Sequence, residues 1–460
     1  MPNPTTPVEP DALIQPAVNV TPGGRIHGQI RVPGSKSLTN RAMIIAAMAR
    51  STDGKPSVIR GALASEDTEV MIDSLRRIGV RIEPAGPSDW SVAADNPSAV
   101  NDNDAPVKDL YIANSGTSVR FLTAMLSAIG GRYRLCGVDR MHARPIGDLI
   151  DALQPVVNGT VAAISDGRCP PVEIDSHGWN DNDLSVAGNV SSQYLSGLMM
   201  AAGGCPFDST NARPRTIQID GQLVSRPYVD MTAAVMRSFG CNVQSHDDQI
   251  IVPPGGYRRT DYDIEPDASA ASYFWAAAAI TGGAVTVTGL TRDALQGDVG
   301  VVDVLEQMGC RVDDDQNGIT VTGGHLRGID VDMNAISDTV QTVAPVALFA
   351  DSPTRIRGVA HNRFKETDRI GDLATELRKF GSKITEHDDG LTIDPIDPDA
   401  TGNVTLDTYD DHRMAMGLSL IGLRRPNVWI QNPACTKKTY PDYFADLATL
   451  AGRHWNWHSE

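Results

Sequence analysis

Apolar and small residues gather into six long runs along the chain, and a short polar stretch opens each one. The first opens with Gly34-Ser35-Lys36-Ser37 and continues through Leu38 and Ala42-Met43-Ile44-Ile45-Ala46-Ala47. The others open at Asn114-Ser115-Gly116-Thr117-Ser118, Asn189 to Gln193, Pro266-Asp267-Ala268-Ser269, Ser337-Asp338-Thr339 and Tyr409-Asp410-Asp411-His412-Arg413. The starts lie roughly 70 to 80 residues apart, which is a repeat signature. A run that is apolar on every side predicts a helix buried all round. Each run is followed by a short strand ending near a glycine or polar turn, as in Val58-Ile59-Arg60-Gly61 and Val285-Thr286-Val287-Thr288-Gly289. A charged loop then leads to a second helix with one polar face, for example Val70 to Leu75 or Val301 to Leu305. Several of these helices stop at Gly79, Gly240, Gly309 or Gly381, because glycine tolerates the left-handed backbone of a helix end. Alternating strands such as Gly318-Ile319-Thr320-Val321 close several of the units. The pattern predicts an α/β chain of α+β repeats: six helix–strand–helix–strand units in two similar domains of three, the polar helix starts converging on one cleft.

Composition narrows the partners. The 460 residues are 41% hydrophobic and 21% charged, as in an ordinary globular chain. The formal net charge of −17 argues against nucleic acid or an anionic membrane as the main partner. It also makes any local cluster of cations more informative. Cys136, Cys169, Cys205, Cys241, Cys310 and Cys435 are scattered, without metal-ligand spacing, which predicts reduced thiols in the cytoplasm and no metal site. The first basic residue is Arg25 and no apolar core of a signal peptide follows, so no targeting segment is expected. No run approaches the roughly 18 to 20 apolar residues of a membrane span. Residues 1–20 read as a loose tail, and Asn101-Asp102-Asn103-Asp104 as a solvated loop.

The polar openings carry the candidate chemistry. A helix start offers unsatisfied N–H groups and the positive end of a dipole, which suits an anion such as phosphate. The first opening adds Lys36, Ser37 and, one turn on, Arg41; it is not a Walker motif, because Ser35 stands where glycine is required. Alone, it is equally a capped surface helix. The loops before the second helices add Asp139 to Pro145, Val224 to Tyr228, His361 to Arg369 and Cys435 to Pro441. Each could be a solvated turn, yet all occupy the same place in the repeat. The cations Lys36, Arg41, Arg120, Arg144, Arg369, Arg413 and Lys438, with the donors Ser37, Ser191, Ser192, Gln193 and Ser225, predict substrates with several negative charges. Asp338, Glu366 and Asp411 sit among them, as proton transfer needs, or as plain ion-pair partners.

In order along the chain, Gly34-Ser35-Lys36-Ser37, Asn40-Arg41-Ala42, Asn114 to Arg120, Arg144-Pro145, Ser191-Ser192-Gln193, Lys365-Glu366-Thr367-Asp368-Arg369, Asp411-His412-Arg413-Met414-Ala415 and Pro441-Asp442-Tyr443-Phe444 resemble the 5-enolpyruvylshikimate-3-phosphate synthase family. The resemblance spans about residues 25–448. It implies transfer of the enolpyruvyl group of phosphoenolpyruvate to the 5-hydroxyl of shikimate 3-phosphate, with release of phosphate. It implies an inside-out, barrel-like pair of domains, 36–264 and 21–35 plus 265–460, with the active site in the cleft between them. Lys36, Ser37, Arg41, Ser191, Ser192, Gln193, Ser225, Asp338 and Lys365 would hold shikimate 3-phosphate. Lys36, Gly116, Arg144, Gln193, Arg369, Arg413 and Lys438 would hold phosphoenolpyruvate. Glu366 would protonate the methylene carbon, with Lys36 sharing the proton traffic, and Asp338 would act as base on the hydroxyl. Arg144, Arg413 and Lys438 would stabilise the charge as phosphate leaves. The resemblance implies no cofactor and no metal, and a cytoplasmic monomer is expected.

Three positions depart from the pattern: His361 stands where many members have Asn, Ser115 where they have Ala, and Phe121 where they have Pro. The nearest alternative is the related UDP-N-acetylglucosamine 1-carboxyvinyltransferase family. It usually has Cys where this chain has Asp139, and Lys-Asn where this chain has Lys36-Ser37. A non-catalytic anion binder would not need both Asp338 and Glu366, and a nucleic-acid end-processing enzyme is disfavoured by the acidic balance.

Overall fold

The computed structural model describes residues 16–93, 106–188, 191–205, 213–221, 223–397 and 402–458. The chain divides into two compact units, one of Pro33–Glu265 and one built from the chain up to Val32 and from Pro266 onward.

The Pro33–Glu265 unit contains α1 (Lys36–Met48), α2 (Glu66–Arg77), α3 (Gly116–Ile129), α4 (Gly147–Leu153), α5 (Ser192–Gly204) and α6 (Arg226–Ser238). The odd-numbered helices are the apolar runs. Every residue of α3 is buried; α1 leaves only Lys36 and Ser37 less than buried, and α5 only Gln193 and Gly204. These three helices touch one another, and the amphipathic α2, α4 and α6 cover them. Among the described residues three four-stranded sheets share one order. Lys108–Tyr111 runs parallel to Gly131–Cys136, which pairs antiparallel with Cys169–Trp179, itself antiparallel to Val157–Ser165. In the unit's first sheet the parallel strand is Tyr262–Asp263, beside Ser57–Arg60, so the last strand of the unit completes its first sheet.

The second unit repeats the plan with α7 (Ala268–Thr281), α8 (Val301–Gln307), α9 (Val340–Ala347), α10 (Gly371–Arg378), α11 (His412–Gly422) and α12 (Tyr443–Ala451). Again the odd-numbered helices are inside and touch one another. Their C-terminal ends meet around an open cavity of about 570 Å³ lined by Thr281, Ala350 and Leu423. The glycine stops hold: Gly79, Gly240, Gly309 and Gly381 all have positive φ.

Three expectations change. Residues 17–20 are not a loose tail: Ala17–Val20 is a buried strand between Val428–Gln431 and Asn456–His458. Four residues are too short a run to stand out in sequence, and the strand is fixed by pairing with the far end of the chain. Pro33, Gly34, Ser35 and Glu265 group with the Pro33–Glu265 unit, not with the other one. The reason is local: Ser35 N–H donates to Glu265 O at 2.8 Å, and a Cβ on Gly34 would lie 1.9 Å from Gly61 O. The fifth apolar run begins as a 3-10 turn, Asn334–Thr339, with α9 proper from Val340. Pro345 inside α9 has no N–H for the carbonyl of Gln341, and Gly417 of α11 lies against that carbonyl, where a Cβ would come within 2.0 Å of the oxygen. Residues 1–15, the 101–104 loop, Asn189 and Val190 lie outside the described residues. Among the described residues no helix is long and apolar enough to cross a membrane.

Candidate active site

The Pro33–Glu265 unit gathers its candidates at the starts of its buried helices. Serines cap all three: Ser35, Ser115 and Ser191 accept from Leu38, Ser118 and Gln193 N–H, each at 3.3 Å. A neutral cap satisfies one N–H and leaves the positive end of the dipole uncompensated. The cations sit beside it. Lys36 Nζ is 3.2 Å from the buried carboxylate of Asp67. Arg120 Nη1 donates to Gln193 Oε1 at 2.5 Å, linking α3 to α5, and Gln193 Nε2 reaches Thr117 Oγ1 at 3.3 Å. Arg144 follows the 3-10 turn Met141–Ala143 and donates to both oxygens of Asn114, the backbone one at 2.9 Å and Oδ1 at 3.2 Å. Gly116 lies beneath the two guanidiniums; a Cβ there would be 2.3 Å from Arg144 Nη2 and 2.8 Å from Arg120 Nη1. Ser225 is buried with φ +54° and precedes Arg226-Pro227, where α6 begins.

Arg41 is placed differently. Its guanidinium turns into the unit: Nε donates to Thr232 Oγ1 at 2.7 Å, Nη1 to Ser37 O at 2.9 Å, and Nη2 to Ser196 Oγ and Tyr228 O at 3.2 Å each. It also lies over the Phe121 ring at 5.2 Å, and burial lowers its pKa to about 10. Arg41 therefore ties α1 to α5, α6 and the carbonyl of Ser37.

The second unit brings Asp338, Lys365, Glu366, Arg369, Arg413 and Lys438 into one network. Its helices α7 and α11 carry acidic caps, Asp267 on Ala270 N–H (2.9 Å) and Asp411 on Arg413 N–H (2.8 Å). These carboxylates neutralise the dipole that the serine caps leave open. Arg369 is 1% exposed and central. It donates through Nε (2.7 Å) and Nη2 (3.1 Å) to the two oxygens of Asp411, and it is 2.8 Å from Glu366 Oε2 and 3.4 Å from Asp338 Oδ1. Burial alone would lower its pKa, but Asp411 and Glu366 more than offset this and hold it above the usual value. Lys438 Nζ donates to Glu366 Oε1 at 2.9 Å. Arg413 Nη2 donates to Asp338 Oδ2 at 2.8 Å and reaches Ser269 Oγ at 3.4 Å, so the starts of α7, α9 and α11 meet at this guanidinium. Lys365 is 3.8 Å from Asp338. His361 lies beside this pair; burial, then the charge of Lys365, pulls its pKa down to about 4 against the opposing pull of Asp338. Asn362 turns inward and donates to Ser337 O at 2.9 Å, steadying the turn that carries Asp338.

The sequence reading missed Asp67 as the partner of Lys36. The signal was present: Ser65 and Thr68 form a capping box that places Asp67 in the first turn of α2. Among the described residues no three His, Cys, Asp or Glu side chains are grouped to hold a metal ion.

The model of the EPSP synthase (3-phosphoshikimate 1-carboxyvinyltransferase) family matches residues 20–447. A protein of Paraburkholderia phytofirmans named 3-phosphoshikimate 1-carboxyvinyltransferase is 42% identical over 443 residues, covering 94% of this chain and 99% of its own. One of the same name from Janthinobacterium sp. is 43% identical over 446 residues, covering 94% and 97%. In fold, the EPSP synthase of Acinetobacter baumannii matches with a TM-score of 0.76 at 24% identity, covering 97% of this chain and 100% of that one. The enolpyruvyl transferase NikO of Streptomyces tendae matches with a TM-score of 0.73 at 19% identity, covering 97% and 99%. The chain thus belongs to the EPSP synthase family.

Proposed function

We infer that the protein transfers the enolpyruvyl group of phosphoenolpyruvate to the 5-hydroxyl of shikimate 3-phosphate, releasing phosphate. The observation that carries this reading is the contrast between the two clusters, one in each unit. One pairs serine-capped helix starts with Lys36, Arg120 and Arg144, an arrangement for phosphate and carboxylate. The other interleaves cations with Asp338 and Glu366, an arrangement for moving protons. In this reading both clusters are assigned to one pair of substrates. Lys36, Ser37, Ser191, Ser192, Gln193, Ser225, Asp338 and Lys365 hold shikimate 3-phosphate, with Arg41 acting from behind through the carbonyl of Ser37. Lys36, Gly116, Arg144, Gln193, Arg369, Arg413 and Lys438 hold phosphoenolpyruvate.

Asp338 takes the hydroxyl proton as the oxygen attacks carbon 2. Glu366 gives a proton to the methylene carbon, with Lys36 sharing the traffic, and a tetrahedral intermediate forms. Glu366 then takes a proton back from the new methyl group as the C–O bond to phosphate breaks, and the proton held on Asp338 leaves with the phosphate. Both oxygens of Glu366 face cations, Lys438 and Arg369. Glu366→Gln and Asp338→Ala are each expected to cut turnover at least roughly a hundredfold while the protein stays folded, the low end for loss of a general acid or base. Phosphate release from the substrate pair measures this, and near-normal turnover in both variants overturns the assignment. Replacing shikimate 3-phosphate by UDP-N-acetylglucosamine tests the alternative, for which no release is expected. The protein acts as a cytoplasmic monomer in this reading; a dimer mass in solution light scattering would revise it.

A further inference from the structure

Asp411 reaches Arg369 and Arg413 from an unusual turn. Tyr409 and Asp410 both have left-handed backbones, φ 53° and 56°, and Asp411 N–H closes the turn on Thr408 O at 2.8 Å. Two consecutive positive φ values are the requirement of a type I′ turn, normally met by Asn-Gly or Gly-Gly. Tyrosine and aspartate meet it under strain, so the surroundings must hold the turn. The main holder is Glu376, on the outer helix α10 and 1% exposed. Its Oε1 accepts from the Tyr409 hydroxyl at 2.9 Å, and its Oε2 accepts from Asp407 N–H at 2.9 Å and from Lys379 Nζ at 2.7 Å. From the other side Asn432 Nδ2 donates to Asp410 Oδ1 at 3.0 Å.

The geometry points to Glu376 as a positioning residue of the transfer: through Tyr409 it holds the left-handed turn that presents Asp411 to Arg369 and Arg413. This rests on the assignment of those two arginines to phosphoenolpyruvate. Without the carboxylate the turn relaxes, Asp411 withdraws, the Arg369 guanidinium loses the partner that aims it, and the backbone N–H of Arg413 loses its cap. Glutamine keeps the device, because the tyrosine hydroxyl both donates and accepts and can exchange roles with the amide.

The test is steady-state kinetics of full-length Glu376→Ala, Glu376→Gln and Tyr409→Phe, varying each substrate in turn. Glu376→Ala is expected to raise KM for phosphoenolpyruvate at least about tenfold, with KM for shikimate 3-phosphate within about twofold of the parent. Glu376→Gln stays near the parent, and Tyr409→Phe moves KM for phosphoenolpyruvate the same way by less. Simple destabilisation would instead lower the active fraction and leave both KM values alone. An unchanged KM for phosphoenolpyruvate in folded Glu376→Ala, or an equal rise for both substrates, overturns the inference. Should Glu376→Ala not fold, Tyr409→Phe decides, and an unchanged KM there overturns it. A parent protein that releases no phosphate overturns the assigned reaction instead. The crystal structures of Glu376→Ala and Tyr409→Phe then decide the positioning role: Asp411 still held on both oxygens by Arg369 overturns it, and its withdrawal supports it.

Discussion

One added carbon at Gly116 would displace two guanidiniums, because the space above it is filled by Arg144 and Arg120. Gly116→Ala is therefore expected to raise KM for phosphoenolpyruvate by about tenfold, the effect of roughly 1.4 kcal/mol, and to spare shikimate 3-phosphate. Steady-state kinetics with each substrate varied reads both. His361 gives a pH prediction. Its folded pKa is about 4, below the usual 6.5. Between these values the unfolded chain binds a proton that the folded chain refuses, so stability falls as pH drops from about 6.5 to 4. The loss is on the order of 3 kcal/mol at most. Melting His361→Asn across that range is expected to show a shallower acid decline than the parent. Lys36, Arg144, Glu366 and Arg413 were legible in sequence because each sits at a helix start or in a loop at a fixed place in the repeat. The inward turn of Arg41 was not legible: Thr232, Ser196 and Phe121, which decide it, come from helices that only the fold brings beside α1.

Buried helices with no polar face constrain one another through backbone contact. Gly417 of α11 against the Gln341 carbonyl of α9 is the tightest case, because Pro345 has already taken away that carbonyl's helical donor. Gly417→Ala is expected to destabilise the second unit by about 1–3 kcal/mol, the usual range for overpacking, as read from urea unfolding. The loss should extend to the site, since Gln341 Nε2 also reaches Arg369 O at 3.4 Å. Elements were the most legible scale in the sequence. Six apolar runs without a polar face can only be interior helices, and glycine stops marked the ends of the outer ones. The start of α9 was misread, because Ser337-Asp338-Thr339 looks like a cap, while the chain there forms a 3-10 turn that carries Asp338 into the network.

Sixfold repetition was visible in sequence; the seams, expected at 35/36 and 264/265, came with the family resemblance and not from the pattern, because they depend on pairing between distant strands. The Pro33–Glu265 unit is one continuous stretch, closed by its own last strand on Ser57–Arg60. The other unit uses both ends of the chain, and Ala17–Val20 lies inside a sheet whose neighbours are Val428–Gln431 and Asn456–His458. Domains generally fold as units while the chain is made from its N-terminus. On the ribosome, the continuous unit can therefore fold as soon as Glu265 has emerged. The strand Ala17–Val20, made before any of that unit, must wait unpaired until Val428–Gln431 and Asn456–His458 have been made. Pulse-labelled hydrogen exchange on stalled nascent chains should find the amides of Leu135 and Ile217 protected long before those of Val18 and Val20. A strand made before the whole of the Pro33–Glu265 unit thus finds its place only after that unit can already have folded.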